Sequence, residues 1–581
     1  MSAERAEPGR EAAPIDVVLC WHMHQPQYFE HGEGQYALPW TYLHALKDYS
    51  DMAAHLEAVP DARAVINFAP ILLEQIADYA RHVSAHLEHG HPIPDPTLSL
   101  LTAKTVPRDA EARAEIIRVC LRAHEPRMIE PFPLFRSLAA IARQAQEDPA
   151  LLRHLAPSFF LDLATCYHLA WLGATVRRDN PEVQRWLAEE NGYDAGTRRQ
   201  LLELIGYVLS DIIPRYRQLA ESGRVELSFT PYAHPIMPLL LDVESAREAM
   251  PEVLLPEHTA YPDGEARVRW HIERGLEVFE QHFNFRPQGC WPSEGAVSTA
   301  TLQLLDEYGI RWAASGQTVL ANSLAAALDA EAVPDEEQAP RDGWLHQPYR
   351  LTGTRLLAFF RDDGLSDAIG FRYADWHARD AVGDFVHHLE NIVDAPPPGG
   401  VVSVILDGEN AWEYYPENGF HFLHELYGRL AGHPRIRLRT FADVCARSTG
   451  EAAELPGLVA GSWVYGTFST WIGDPDKNSG WDRLIEAKQA VDIALQQHPE
   501  LDREAVIEQL ATCEGSDWCW WFGGYNPAGS VSDFETLYRR HLAVLYQRAG
   551  LPVPESLSLV LSTGGGEQAA GGTMRRGQAH S

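Results

Sequence analysis

Two acidic residues sit where an acid is costly unless it is used. Glu294 lies among small residues in "GCWPSEGAVS" (289–298), just after a Trp-Pro pair, and Asp407 follows six mostly apolar residues in "VVSVILDGE" (401–409). A carboxylate at the end of an apolar run needs hydrogen bonds or a task. Paired carboxylates on either side of a bond are the machinery of glycoside hydrolysis, retaining at a separation of roughly 5–5.5 Å and inverting at roughly 6.5–9.5 Å. The competing role for Glu294 is to cap or precede the next helix, where the macrodipole favours an acid. A second cluster is "CWHMHQPQY", with His22 and His24 two apart and therefore on one face of an extended chain. Such imidazoles can bind a divalent metal, with His234 of "TPYAHP" converging as a third ligand in a metal-dependent hydrolase or deacetylase. They can equally hydrogen-bond a polyhydroxylated ligand, and one of them can be an ordinary core histidine. The residues alone leave these readings open.

The neighbours of both clusters are aromatic. Trp21, Trp291, Trp412, Tyr414 and Tyr415 adjoin them, and "SWVYGTFSTWIGDPDKNSGWD" (462–482) and "EGSDWCWWFGGYN" (514–526) add more. An amphipathic ring with few rotors suits the apolar face of a sugar, and Asp and His suit its hydroxyls. About half of these rings belong to the core, as aromatic clusters usually do. The run "WCWWF" at 518–522 is hard to bury on one helix face, so some of its rings are expected to reach a groove.

Elements must bring these residues together. Seven short β-branched runs end in polar, aromatic or Gly/Pro residues, at 15–22, 63–70, 224–231, 287–294, 310–316, 355–362 and 401–409. Helical patterns such as 265–283 and 298–309 separate most of them, and strands alternating with helices build a parallel sheet. The expected fold is α/β, an incomplete (β/α)7 barrel with its active site at the C-terminal strand ends. Residues 15–448 form this barrel, interrupted by a helical insertion at about 71–222. A C-terminal helical domain at 449–561 contributes to the cleft, and 1–14 and the Gly-rich 562–581 are expected to be disordered tails.

Composition narrows the partners. A chain of 581 residues with 45% hydrophobic content buries a large core, and its formal charge of −33 repels nucleic acid and anionic membrane. A neutral ligand meets no such repulsion. Seven scattered cysteines (Cys20, Cys120, Cys166, Cys290, Cys445, Cys513, Cys519) without a C-x-x-C pair argue against a disulfide framework or zinc ribbon. The N-terminus has no apolar segment of a signal peptide, and no apolar run approaches the roughly 18 residues of a spanning helix. A cytoplasmic protein without a cofactor is expected.

Together these blocks resemble glycoside hydrolase family 57, in its amylopullulanase and α-amylase-like branch. "HMHQP" (22–26), "GRVELSFTPYAHPIMPLL" (223–240), "GCWPSEGAVS", "ILDGENAWEYY" (405–415) and "WDRLIEAK" (481–488) follow the order of the family's five regions. "FRDDGLSDAIGFRY" (360–373) and "EGSDWCWWFG" (514–523) point to that branch, and the resemblance spans about 15–550. It implies a seven-stranded incomplete barrel and a retaining mechanism that needs no metal, with Glu294 as nucleophile and Asp407 as general acid/base. The implied substrate is an α-glucan, cut at α-1,4 or α-1,6 bonds, and a glucanotransferase or branching enzyme is the alternative on the same site. Outside that class stand the metal-dependent hydrolase and a non-catalytic glucan-binding protein. Substrate contacts are expected from His22, His24, Gln25, His234, Trp291, Asp362 and Asp363, and from Glu409, Trp412, Trp463, Trp471, Asp517 and Trp518. Asp362 and Asp363, in "FFRDDGLSD", are also the rival candidates for the acid/base.

Overall fold

Side chains along a strand alternate between its two faces, and here that alternation separates two cores. The computed structural model describes residues 14–327, 344–394, 400–448 and 452–566. Its barrel strands are β1 (Ile15–Met23), β2 (Ala64–Phe68), β3 (Val225–Phe229), β4 (Gly289–Cys290), β5 (Trp312–Gly316), β6 (Leu357–Arg361) and β7 (Val401–Asp407). All seven are parallel in the order β7-β1-β2-β3-β4-β5-β6, and the pairing of Ser403 with Arg361 brings β6 back to β7 and closes the ring. The seven expected runs are these seven strands. Only the fourth is much shorter than its run, because Pro287 and Pro292 flank it and offer no N–H to a neighbouring strand.

Val18, Cys20, Val65, Ala314, Leu357, Phe359, Val401 and Ile405 point inward and form a small apolar core within the ring. The helix Phe441–Arg447 adds Phe441, Val444 and Cys445 to this inner core. Val17, Leu19, Trp21 and Met23 point outward into the larger core shared with the helices. Truncating a fully buried ring such as Phe359 to Ala costs about 3–5 kcal/mol at sites of this kind. Continued by steps of two, the inward series reaches His22 on β1, Asn67 on β2, Ser228 on β3, Arg361 on β6 and Asp407 on β7. The apolar interior therefore gives way to polar residues at the C-terminal strand ends.

Between β2 and β3 lie the helices running from Pro70–His89 to the long Ala195–Glu221, which pack on each other. After the barrel, Pro475–Gln497, Arg503–Cys513 and Ala528–Arg548 pack together, with the short Asp517–Trp521 beside them. Among the described residues five strand pieces lie outside the ring order: Ile436–Leu438 adds to β1, Ala453–Leu455 pairs with Tyr349–Leu351, which runs antiparallel to β6, and Phe29–Glu30 pairs with Gln35–Tyr36. The expected tails fall mostly outside the described residues. Of the second, 562–566 is packed rather than loose: the Ser562 hydroxyl accepts from the Gly523 amide at 3.0 Å, and the Gly565 and Gly566 amides donate to the Asn526 carbonyl.

Candidate active site

The polar strand ends open into a cavity of about 720 Å³ between the barrel, the helical insertion and the C-terminal helices. His22, His24, Gln25, His234, Glu294, Asp407, Glu409, Trp463 and Asp517 all line it. Residues as far apart in the sequence as His22 and Asp517 thus meet in one space.

Glu294 is positioned by backbone conformation rather than by a long strand. It occupies the left-handed region at φ 57°, ψ 23°, followed by Gly295 at φ 56°. A non-glycine residue held there costs on the order of 1–3 kcal/mol, so the surroundings must hold it. A Cβ at Gly295 would lie 2.9 Å from Trp291 and 3.1 Å from Trp463, so only glycine lets the turn pack. Ser298, not Glu294, caps the helix Thr299–Glu307, which removes the capping role for the acid. The carboxylate instead accepts from Ser516 Oγ at 3.1 Å on Oε1 and from Trp463 Nε1 at 3.3 Å on Oε2. Both donors come from beyond the barrel.

Asp407 ends β7 in register with His22 on β1, and Asn410 Nδ2 donates to its Oδ2 at 2.9 Å. Burial pushes Glu294 up to about 8, with the charges of Asp517 and Asp407 adding and the Trp463 and Ser516 hydrogen bonds opposing. Burial also raises Asp407, against Asn410, His24 and Arg361. Two acids that feel each other's charge titrate as a pair, which holds one proton more readily than either acid alone. Glu409 is raised well above the usual range by burial and by Asp407; it accepts from Gln25 Nε2 at 3.3 Å and from the His24 amide at 3.4 Å.

The histidines form a stack. His24 lies 3.8 Å from His234 between ring centroids at 14°, and 5.7 Å from His22 at 16°. His24 Nε2 meets Asp517 at 2.9 and 3.0 Å. His24, His234 and Asp517 each offer a ligand atom within 4.8 Å of the others. This arrangement does not fit a metal. Parallel stacked rings direct their in-plane lone pairs side by side, whereas a metal at about 2.0–2.1 Å needs them to converge. Nor has His22 a free nitrogen, since Nδ1 meets Asn67 Oδ1 at 2.6 Å and Nε2 meets His234 Nε2 at 3.1 Å.

Six expected contacts lie off the cavity wall. Asp362 caps the helix Asp363–Asp367 through the Leu365 amide and pairs with His346 at 2.8 Å, and Asp363 is tied to Arg361 at 2.6 Å. Both acids are spent on their own turn, and the cavity receives Arg361 instead. Trp291, Trp412, Trp471 and Trp518 are core rings, each 1% exposed or less. Trp291 faces the barrel interior, Trp412 packs on Trp21 at 5.6 Å, and Trp518 donates from Nε1 to the Thr512 carbonyl at 2.8 Å. The aromatic wall is formed by Trp463 with Trp520, Trp521 and Tyr525, which spacing did not single out, and by Trp40, Trp171 and Tyr414. A helical turn that buries Trp518 sends Trp520, two positions on, to the opposite side, a consequence readable in the "WCWWF" run. Ser516 carried no sequence signal of its own.

The wall carries seven carboxylates, Glu125, Glu294, Asp407, Glu409, Glu413, Asp517 and Asp533, against the two guanidinium groups of Arg122 and Arg361. With acids outnumbering guanidinium groups, and three of those acids pushed towards their neutral forms, the wall offers little to hold a phosphate and suits a neutral, hydroxyl-rich ligand.

The sequence model of Glycosyl hydrolase family 57 matches residues 18–456. No curated protein matches the chain. Among solved structures, it is similar to a family 57 branching enzyme from Thermococcus kodakaraensis, at 16% identity and TM-score 0.55 over 92% of this chain and 90% of that one. The α-amylase from Thermotoga maritima is similar at 14% identity and TM-score 0.53, over 92% and 93% of the two chains. A branching enzyme from Pyrococcus horikoshii is similar at 15% identity and TM-score 0.53, over 94% and 97%. At these identities the likeness is one of fold.

Proposed function

Given that the chain belongs to glycosyl hydrolase family 57, an enzyme family that acts on α-glucans, we propose that it is a retaining glycosidase cleaving α-1,4 or α-1,6 bonds with Glu294 as nucleophile and Asp407 as general acid/base. The observation that carries this reading is the meeting of two half-buried carboxylates, from different strand ends, in one aromatic-lined cavity. Glu294 attacks the anomeric carbon while protonated Asp407 donates to the leaving oxygen; Asp407 then takes a proton from the incoming acceptor. Against the burial that pushes it up to about 8, two donors favour the anionic form of Glu294, one on each oxygen, whereas Asp407 receives only Asn410. That asymmetry supports the division of roles. Trp463, Trp520 and Trp521 stack on glucosyl rings, and His24, Gln25, Glu409 and Asp517 bind hydroxyls.

With water as acceptor the products are shorter glucans; with another glucan's hydroxyl they are transferred or branched chains. Incubation with amylose, pullulan and a maltooligosaccharide, followed by chromatography and by NMR of the newly formed anomeric centre, tests the reading. New products of retained α-configuration are expected. No change in any of the three glucans, or first-formed β-anomers, overturns it. The compartment we propose is the cytoplasm: among the described residues no helix is long and apolar enough to cross a membrane, and all seven cysteines are free and buried.

A further inference from the structure

Four short gaps connect the nucleophile to the far side of the barrel mouth. Glu294 Oε1 meets Ser516 Oγ at 3.1 Å, and Ser516 Oγ meets His234 Nδ1 at 2.8 Å. His234 Nε2 then meets His22 Nε2 at 3.1 Å, and His22 Nδ1 meets Asn67 Oδ1 at 2.6 Å. His22, His234, Ser516 and Asn67 are all buried. Burial, joined by the charge of His24, holds His22 down to about 3 and His234 well below the usual range, so both rings are neutral.

A neutral imidazole carries one N–H and a hydroxyl one O–H, so each gap holds a single hydrogen. With the chain so connected, the hydrogens can only all point one way or all the other. If His22 Nδ1–H donates to Asn67, then His234 Nε2–H donates to His22, Ser516 donates to His234, and Glu294 must itself supply the proton on Ser516. If Glu294 is ionised, Ser516 donates to it, His234 donates from Nδ1, His22 donates from Nε2, and the Asn67 amide turns so that Nδ2 faces His22. Asn67 is built for both orientations. Its neighbours Ser228 Oγ at 3.1 Å and Thr230 Oγ1 at 2.8 Å are hydroxyls that donate or accept, and Thr230 also donates to the Trp291 carbonyl at 2.8 Å.

We propose that Ser516, His234, His22 and Asn67 form a two-state hydrogen-bond chain whose direction is set by the ionisation of Glu294, with Ser516 as the positioning residue that presents the chain to the nucleophile. This rests on the reading of Glu294 as nucleophile. As pH rises and Glu294 ionises, the chain loses one proton to solvent, and both imidazoles exchange tautomers without gaining charge. The anion thereby receives a donor at the moment it needs one. Asp407 and Glu409 after β7, His24 after β1, Asp517 beside Ser516 and Arg361 on β6 are the charged and titratable groups facing this chain.

Full-length protein labelled with 15N-histidine tests the chain by NMR, the two rings being assigned through His22→Gln and His234→Gln. The proton of His234 is expected to move from Nε2 to Nδ1 as pH rises, in a step that Glu294→Gln and Ser516→Ala remove and Ser516→Thr retains. A wild-type His234 tautomer unchanged with pH, or a step surviving in Ser516→Ala, overturns the proposal. In kinetics, Ser516→Ala is expected to lower kcat/KM roughly 10- to 100-fold, mostly through kcat. The acidic limb of its rate profile moves to higher pH, and Ser516→Thr recovers both. A loss confined to KM, or one that threonine does not recover, removes the positioning role. Full glucan activity in Glu294→Gln would instead sink the nucleophile reading, while the tautomer step, which needs no turnover, is judged separately.

Discussion

The two acids are held in opposite ways. Asp407 stands at the end of a seven-residue strand, and its one side-chain donor, Asn410, lies three positions further on. Glu294 follows a two-residue strand, sits in a left-handed turn, and is gripped by Trp463 and Ser516, 169 and 222 positions away. The β7 corner is local and self-supporting; the β4 corner is finished by the C-terminal helices. A carboxylate that must be anionic in a buried space needs donors, and a short strand followed by a tight turn has none to give.

The largest expected effects treat the acids as equals and then separate them. Glu294→Gln and Asp407→Asn should each lower kcat on maltooligosaccharides by at least about 10³-fold. On an aryl α-glucoside whose leaving group needs no protonation, Asp407→Asn should regain the first step as a burst of phenol, and Glu294→Gln should not. A burst from the Glu294 variant would exchange the roles.

Next comes the anchor of the distant grip. Glu514, two residues before Ser516, accepts from Arg267 at 2.7 Å and Tyr261 at 2.5 Å and meets His271 at 2.8 Å, with no exposed side-chain surface. Despite burial, Arg267 and His271 hold its carboxyl down to about 2. A folded-state value below the unfolded one means stability that is present above about pH 4.5 and lost as pH falls through about 2, on the order of 3 kcal/mol. Glu514→Gln leaves Arg267 without its anion and should destabilise by about 3–5 kcal/mol at pH 7 in denaturant melts. It should also flatten the acid limb of the stability profile, and an unchanged limb would show that Glu514 is not the group responsible.

Trp463→Phe removes one donor and keeps the ring, so kcat/KM should fall about 10-fold with the melting temperature little changed. Asn410→Ala removes the local donor at the partly solvated corner and should cost only about 3- to 10-fold. If Asn410→Ala proves the more damaging of the two, the contrast between the corners is reversed.

What could be read before folding follows the same division. Short β-branched runs ending in polar, aromatic or Gly/Pro residues located all seven strands, and the inward parity that ends in His22 and Asp407 is written in single strands. Four of the five expected tryptophans, all but Trp463, misled because adjacency to a polar motif does not say which way a ring points: Trp21 and His22 are neighbours on opposite faces, and Trp412 packs on the buried one. Asp362 and Asp363 looked like site residues for the same reason and serve their own helix turn and Arg361. Ser516 could not be found because its meaning depends on a segment that pairs Gly515 with Pro235 and so carries one hydroxyl to Glu294.

That segment also has a place in the life of the chain. Synthesis proceeds from the N-terminus, and domains fold in turn as they emerge. Asp407 and Glu294 are translated more than 100 residues before Ser516, so a nascent barrel carries both acids while Glu294 still lacks a donor to each oxygen. The two acids would therefore be in place before the grip on Glu294 is, and a chain broken off after the barrel would be born with its teeth but without a grip.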